Sequence, residues 1–166
     1  GDMPGSVWVY GRDGSGDWGL QTILSPDERQ ADGQFGVSVA ISGDLAVVGA
    51  WHEDRGAADT GAIYAFRRSN GMWTREASLT ADVPQEREYF GYSIAMSGDS
   101  VIVGAPGAAG PPYPEGSAYI FTHSGNRWKQ QAKLTFPSSY RLGTSVGISG
   151  DYAIVAGDGP SLGEAY

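Results

Sequence analysis

Cysteine is absent from the 166 residues, and histidine occurs only twice. The first absence excludes disulfides and thiolate metal sites and leaves the redox compartment open. The second leaves little for imidazole chemistry. Charge is also sparse, at 18% of the chain, and 11 basic residues stand against 19 acidic ones for a net of −8. Without a basic stripe, nucleic-acid phosphates would be repelled, so no nucleic-acid partner is expected. No apolar run is long enough for a membrane span, so no membrane insertion is expected. No leader-like segment and no Asn-x-Ser/Thr acceptor is visible. Helical periodicity is missing throughout.

What the chain does have is 26 Gly, 9 Pro and a repeat. With so little charge, that composition favours an all-β protein rich in turns. The stretch Phe35–Ala50, FGVSVAISGDLAVVGA, returns as FGYSIAMSGDSVIVGAP at Phe90–Pro106 and as LGTSVGISGDYAIVAGD at Leu142–Asp158. Each copy reads as two short strands, A and B, joined by a Ser-Gly-Asp turn. Gly accepts the positive φ of a tight reversal and Asp can bond the local backbone. Trp18, Trp73 and Trp128 recur at a spacing of 55, as do Leu24, Leu79 and Leu134. A further series, Gly5–Tyr10, Gly61–Phe66 and Gly116–Phe121, reads as strand C, and the Trp-to-Leu runs read as strand D. A fourth copy of the C motif begins at Gly163–Tyr166. Repetition near this period points to propeller blades, each a four-stranded antiparallel meander that needs a neighbouring sheet on both faces.

The pattern Phe-Gly-x-Ser, then Val-Gly-Ala-Pro, then Gly-Ala-x-Tyr-x-Phe resembles the FG-GAP repeat of integrin alpha subunits and bacterial surface proteins. The resemblance covers nearly the whole chain as one module over 1–166, with units at about 5–60, 61–115 and 116–162 and the start of another at 163–166. It implies a non-catalytic binding, adhesion or assembly scaffold at an extracellular or cell-surface location. It matches most closely the bacterial subtype that lacks the calcium loop. Calcium needs six to eight oxygen ligands, and a Ser-Gly-Asp turn offers one carboxylate, so no metal and no cofactor is expected at these turns.

About three blades are present, whereas propellers close with about four to eight. The chain also starts at strand C of one blade and finishes with strands A and B of another. This predicts either part of a longer ring or a ring completed by self-association through open blade ends.

In such blades the B–C and D–A loops share one rim. That rim is expected to carry the partner site, because exposed aromatic and charged side chains on a rigid frame suit recognition. The candidates are Trp51, His52, Asp54, Arg55, Tyr89, Tyr113, Glu115, Tyr140 and Arg141. Solvated loops whose rings pack over blade ends are the plainer alternative. A glycan partner on the same aromatic loops is the second functional reading, and an accessory domain of a larger extracellular enzyme the third.

No catalytic residue is expected. His52 and His123 are predicted to lie on opposite rims, His123 in a C–D turn, and Glu53 and Asp54 read as solvated loop charges. The recurrent Trp18, Trp73 and Trp128 read as buried structural rings rather than sugar platforms. Asp13–Asp17 reads as a hairpin turn rather than a cation or phosphate loop.

Overall fold

A computed structural model describes residues 5–26, 33–107, 115–125, 127–137 and 140–158. Among these the chain forms strands and no helix. The first strand pair is β1 (Val7–Arg12) with β2 (Trp18–Leu24). Two four-stranded meanders follow. One contains β3 (Val39–Ser42), β4 (Leu45–Ala50), β5 (Ala62–Ser69) and β6 (Met72–Leu79). The other contains β7 (Ser93–Ser97), β8 (Ser100–Ala105), β9 (Ser117–Ser124) and β10 (Arg127–Leu134). The last pair is β11 (Tyr140–Ser149) with β12 (Tyr152–Asp158). All pairings within the sheets are antiparallel. The expected order therefore holds: a C–D pair, two whole blades, an A–B pair.

The A–B turns are two-residue hairpins, with Ser42 opposite Leu45 and Ser97 opposite Ser100. Gly43, Gly98 and Gly150 open them at φ of 57°, 57° and 54°, where any Cβ would be strained. Asp44 does more than brace its own turn. Its carboxylate accepts from Arg68 Nε at 2.8 Å and its carbonyl from the Arg68 amide at 2.8 Å, tying the turn to strand β5.

Cores lie between sheets, not within them. Between the first pair and the first blade, Val7, Val9 and Leu24 meet Val48, Tyr64 and Phe66. Phe35 stands edge-on to Tyr64 and Phe66, with ring centroids 5.4 and 6.2 Å apart. Between the two blades, Val47, Ile63 and Ala65 meet Val101, Val103, Tyr119 and Phe121, and Phe90 repeats the edge-on contact at 5.4 and 5.8 Å. Strand β11 in turn packs on β7 and β8.

Successive sheets are latched by the repeat's signature residues. Ser38 Oγ donates to the Gly91 carbonyl at 2.6 Å, and Ser93 Oγ donates to the Gly143 carbonyl at 2.8 Å. Gly49 and Gly104 permit this approach, because a Cβ there would fall 2.1 and 2.0 Å from those same carbonyl oxygens. Gly61 bridges Phe90, and Gly116 bridges Leu142, in parallel fashion. The recurrent spacing of Phe-Gly, Ser and Val-Gly-Ala thus encodes contacts between blades.

The structure departs from sequence expectation in several places. The Phe-Gly pair does not open strand A in the first two copies. It forms a turn in which Gly and the residue before Phe are both left-handed: Gln34 and Gly36 at φ 52° and 94°, Tyr89 and Gly91 at 58° and 93°. Arg141 and Gly143 keep this backbone at 51° and 99°, but there Tyr140 and Arg141 belong to β11 because Tyr140 pairs with Asp158. His123 is not in the C–D turn. It sits inside β9 opposite Trp128 and is buried. Trp73 and Trp128 pack against the cores, but Trp18 is exposed, since β2 has no sheet on that face among the described residues.

Each C–D pair also carries a bulge at one recurrent place. Gln21, Glu76 and Gln131 are skipped by the pairing registers. A bulge re-aims the extra side chain. Glu76 consequently joins the two blades: Arg67 Nε of its own sheet donates to it at 2.5 Å, while on the next blade its Oε1 lies 2.6 Å from His123 Nε2 and accepts from Trp128 Nε1 at 3.1 Å. Burial pushes the Glu76 carboxyl up, but the Arg67 hydrogen bond and the neighbouring His123 and Arg67 charges outweigh it, leaving it below the usual carboxylate range.

Candidate functional site

The loop after β4, residues 51–60, is held in shape by its own polar groups. Asp54 Oδ1 accepts from the Asp59 amide at 2.8 Å, and Thr60 Oγ1 accepts from the Arg55 amide at 2.9 Å. The connection before β7 is then stitched onto this loop by three backbone bonds. The amides of Arg87, Tyr89 and Phe90 donate to the carbonyls of Ala58, Asp59 and Thr60 at 2.8, 3.1 and 3.1 Å. A B–C loop and the following D–A loop therefore form one rim, as expected.

On that rim the left-handed residues before Phe-Gly face a tryptophan. Trp51 Nε1 donates to Gln34 Oε1 at 3.3 Å. Its ring lies against His52, tilted by 51° with centroids 3.9 Å apart, and meets Tyr89 and Tyr92 edge-on at 5.0 and 5.2 Å. His52 Nδ1 is 2.6 Å from Asp59 Oδ1, which fixes the imidazole against the indole. Beside this aromatic cluster is a cavity of about 310 Å³ lined by Trp51, Arg87, Tyr89, Tyr92, Pro106, Gly107 and Arg141. Its walls come from both whole blades and from β11. Arg87 and Arg141 stand at its edge. Their ion pairs, to Glu86 at 4.0 Å and Asp158 at 3.8 Å, are long and solvent-exposed, so both guanidiniums remain able to take another anion.

Of the sequence candidates, Trp51, Tyr89 and Arg141 converge here, with His52 and Asp54 one step behind as supports. Arg55 does not belong to the surface site. It turns inward to pair with Glu53 and donates to Tyr64 Oη at 2.9 Å and Ser78 Oγ at 3.1 Å. Tyr140 is a half-buried strand residue. Glu115 lines a separate, smaller cavity of about 180 Å³ with Glu88 and Lys133. Tyr113 lies outside the described residues. Sequence reasoning missed Tyr92 and Arg87 as pocket residues. Their signal was positional: both flank Phe90-Gly91, one two places after the Phe-Gly pair begins and one three places before it.

The expectation that Glu53 is a solvated charge is overturned. Glu53 is buried and accepts from Tyr64 Oη at 2.6 and 2.7 Å, because the tyrosine near the start of β5 needs an acceptor away from water. Asp13, by contrast, folds the first hairpin as expected. Its carboxylate takes the Ser15 and Asp17 amides at 2.9 and 3.0 Å, and these donors, led by the Ser15 hydroxyl, keep its pKa low. Among the described residues no three His, Asp or Glu side chains converge as metal ligands.

A search of curated proteins finds no relative that matches the chain. The FG-GAP repeat model matches residues 18–66 and 73–121, more than half of the sequence. Each match runs from the tryptophan of strand D, through the latched Phe-Gly turn, to the phenylalanine of strand C. With those same residues forming the cores and latches between sheets, the chain belongs to the FG-GAP repeat family.

Proposed function

We propose that the protein is a non-catalytic binding module that takes an acidic segment of a partner protein in the rim cavity. The observation that supports this is the meeting of Trp51, Tyr89, Tyr92 and two guanidiniums in one recess of about 310 Å³. The guanidinium fork suits a carboxylate, and the aromatic walls suit the apolar stem or ring that carries it. An extracellular or cell-surface location belongs to the same proposal and rests on the family resemblance.

The test is a peptide array that varies acidic and aromatic content, read beside a glycan array. Acidic peptides should be retained by the native protein. Arg141→Glu and Trp51→Ala should each weaken retention by at least about tenfold, with the circular dichroism spectrum and unfolding midpoint kept. Retention of acidic peptides that ignores both substitutions removes the proposal. Retention of glycans alone replaces it with the sugar-binding reading.

A further inference from the structure

An apolar groove of about 310 Å³ runs between β1 and β3, lined by Val7, Val9, Tyr10, Leu24, Val39 and Ile41 among others. In the complete blades the corresponding position, beside strand C and against the next strand A, is filled by that blade's own A–B pair: β7 lies beside β8 and packs on β11. The groove therefore lies where a whole blade carries its A–B pair, and its lining is apolar. Trp8 and Tyr10 stand where Tyr64 and Phe66, and Tyr119 and Phe121, stand in the whole blades. The latter are buried under Phe35 and Phe90, whereas Trp8 and Tyr10 are each 56% exposed. Among the described residues β1 pairs with β2 alone, so its other edge presents open backbone groups.

The opposite end of the molecule carries the complement. β11 and β12 are an A–B pair, and among the described residues β12 pairs with β11 alone. Tyr152 and Ile154 are 83% and 74% exposed. Leu142 holds the place of Phe35 and Phe90 and is only partly buried. The whole blades fix the register, since Ala50 pairs with Ala62 and Ala105 with Ser117. Carried over, Gly157 meets Ser6 and Ile154 meets Val9. Ile154 then enters the groove beside Val39 and Ile41, and Leu142 covers Trp8 and Tyr10.

We infer that β11–β12 of one copy of this chain completes a four-stranded blade with β1–β2 of a second copy. The contact is head to tail. Two copies joined reciprocally make six blades, within the range at which propellers close, about four to eight. One residue opposes a perfect fit. Ser145 pairs with Ala156 as Ser93 pairs with Gly104. At Gly104 a Cβ would lie 2.0 Å from the Gly143 carbonyl oxygen of the next sheet. The Ala156 Cβ meets the Gly36 carbonyl of the second copy in the same way, so the backbones cannot close fully and the association is weakened.

The test is sedimentation equilibrium of the full chain over a wide concentration range. The native chain should rise from the monomer mass as concentration increases. Ala156→Gly should tighten the association by about tenfold, because relieving an overpacked contact is worth that order. Ile154→Asp and Trp8→Asp alter exposed side chains and should abolish association while the unfolding midpoint stays unchanged. A native chain that remains at the monomer mass overturns the inference. Association that ignores Ala156→Gly and Ile154→Asp overturns it as well, as generic apolar adhesion. Peptide retention at the rim is read separately, so failure of either proposal is distinguishable from failure of the other.

Discussion

The two complete blades carry the same tyrosine near the start of strand C but anchor it with carboxylates of different origin. Tyr64 donates to Glu53, which comes from the loop between the blade's own strands and is clamped by Arg55. Tyr119 donates to Glu88, which arrives from the connection before the blade and has Lys133 at 3.7 Å. Glu88 also accepts from the Gln85 amide at 3.1 Å. Burial, followed by the adjacent carboxylate, pushes Tyr64 up to about 12 and Tyr119 higher still. The comparison teaches that a tyrosine hydroxyl at the rim end of strand C, present in both complete blades, can be answered by either neighbouring loop. In each complete blade one buried carboxylate reaches the spot.

Removing each carboxylate tests that equivalence most severely. Glu53→Ala strands the Tyr64 hydroxyl and leaves Arg55, a partly buried cation, without its counterion, which should cost about 3 kcal/mol in urea unfolding. Glu88→Ala should cost less, about 2 kcal/mol, because Lys133 is well exposed and regains water. Equal losses would mean that the Arg55 clamp adds nothing.

Deleting the hydroxyls should reverse the ranking. Tyr119→Phe leaves Glu88 with a distant lysine and one amide, and should cost about 2 kcal/mol, whereas Tyr64→Phe leaves Glu53 its arginine and should cost about 1 kcal/mol. Because the Tyr64 pKa is raised in the folded state, its contribution is complete below pH 10 and disappears as pH climbs to about 12. In Tyr64→Phe that portion of the alkaline loss should vanish from a plot of unfolding midpoint against pH.

The smallest effect is expected at the junction of the blades. Glu76 is depressed in the folded state, so its stabilisation is present above the ordinary value of 4.5 and is lost as pH falls through the lowered one. Glu76→Gln should flatten this acid-side decline by less than the Tyr64→Phe loss, read from urea midpoints at neutral and acidic pH. The equivalent bulge residue at the preceding junction, Gln21, cannot titrate, so Gln21→Ala should leave the acid profile unaltered.

Much of the frame was legible in residue spacing. Ser-Gly-Asp turns, small residues on the inner strands and rings on the outer ones follow from pleat and turn chemistry. The partners of individual polar side chains were not. Nothing in the adjacent charges Glu53, Asp54 and Arg55 says that two turn inward and one outward, because that depends on Tyr64, a strand away. Gln21, Glu76 and Gln131 recur as regularly as the tryptophans, but polar residues in a strand do not announce a bulge. His123 stands one residue from a Ser-Gly turn, and only the pairing register separates the buried strand position from the loop. The rim aromatics were visible, but their convergence required the left-handed residues before Phe-Gly, which no propensity for Tyr or Arg would suggest.

The serine latch has a consequence for how such a gene changes length. Ser38 and Ser93 grip the following sheet through a backbone carbonyl, which every amino acid owns, and through a glycine supplied by the same motif. A recombination event that duplicates or excises a full period leaves both halves of the grip intact at the new seam. Blade number can therefore drift by whole units without inventing any contact, while partial-unit rearrangements are broken at once.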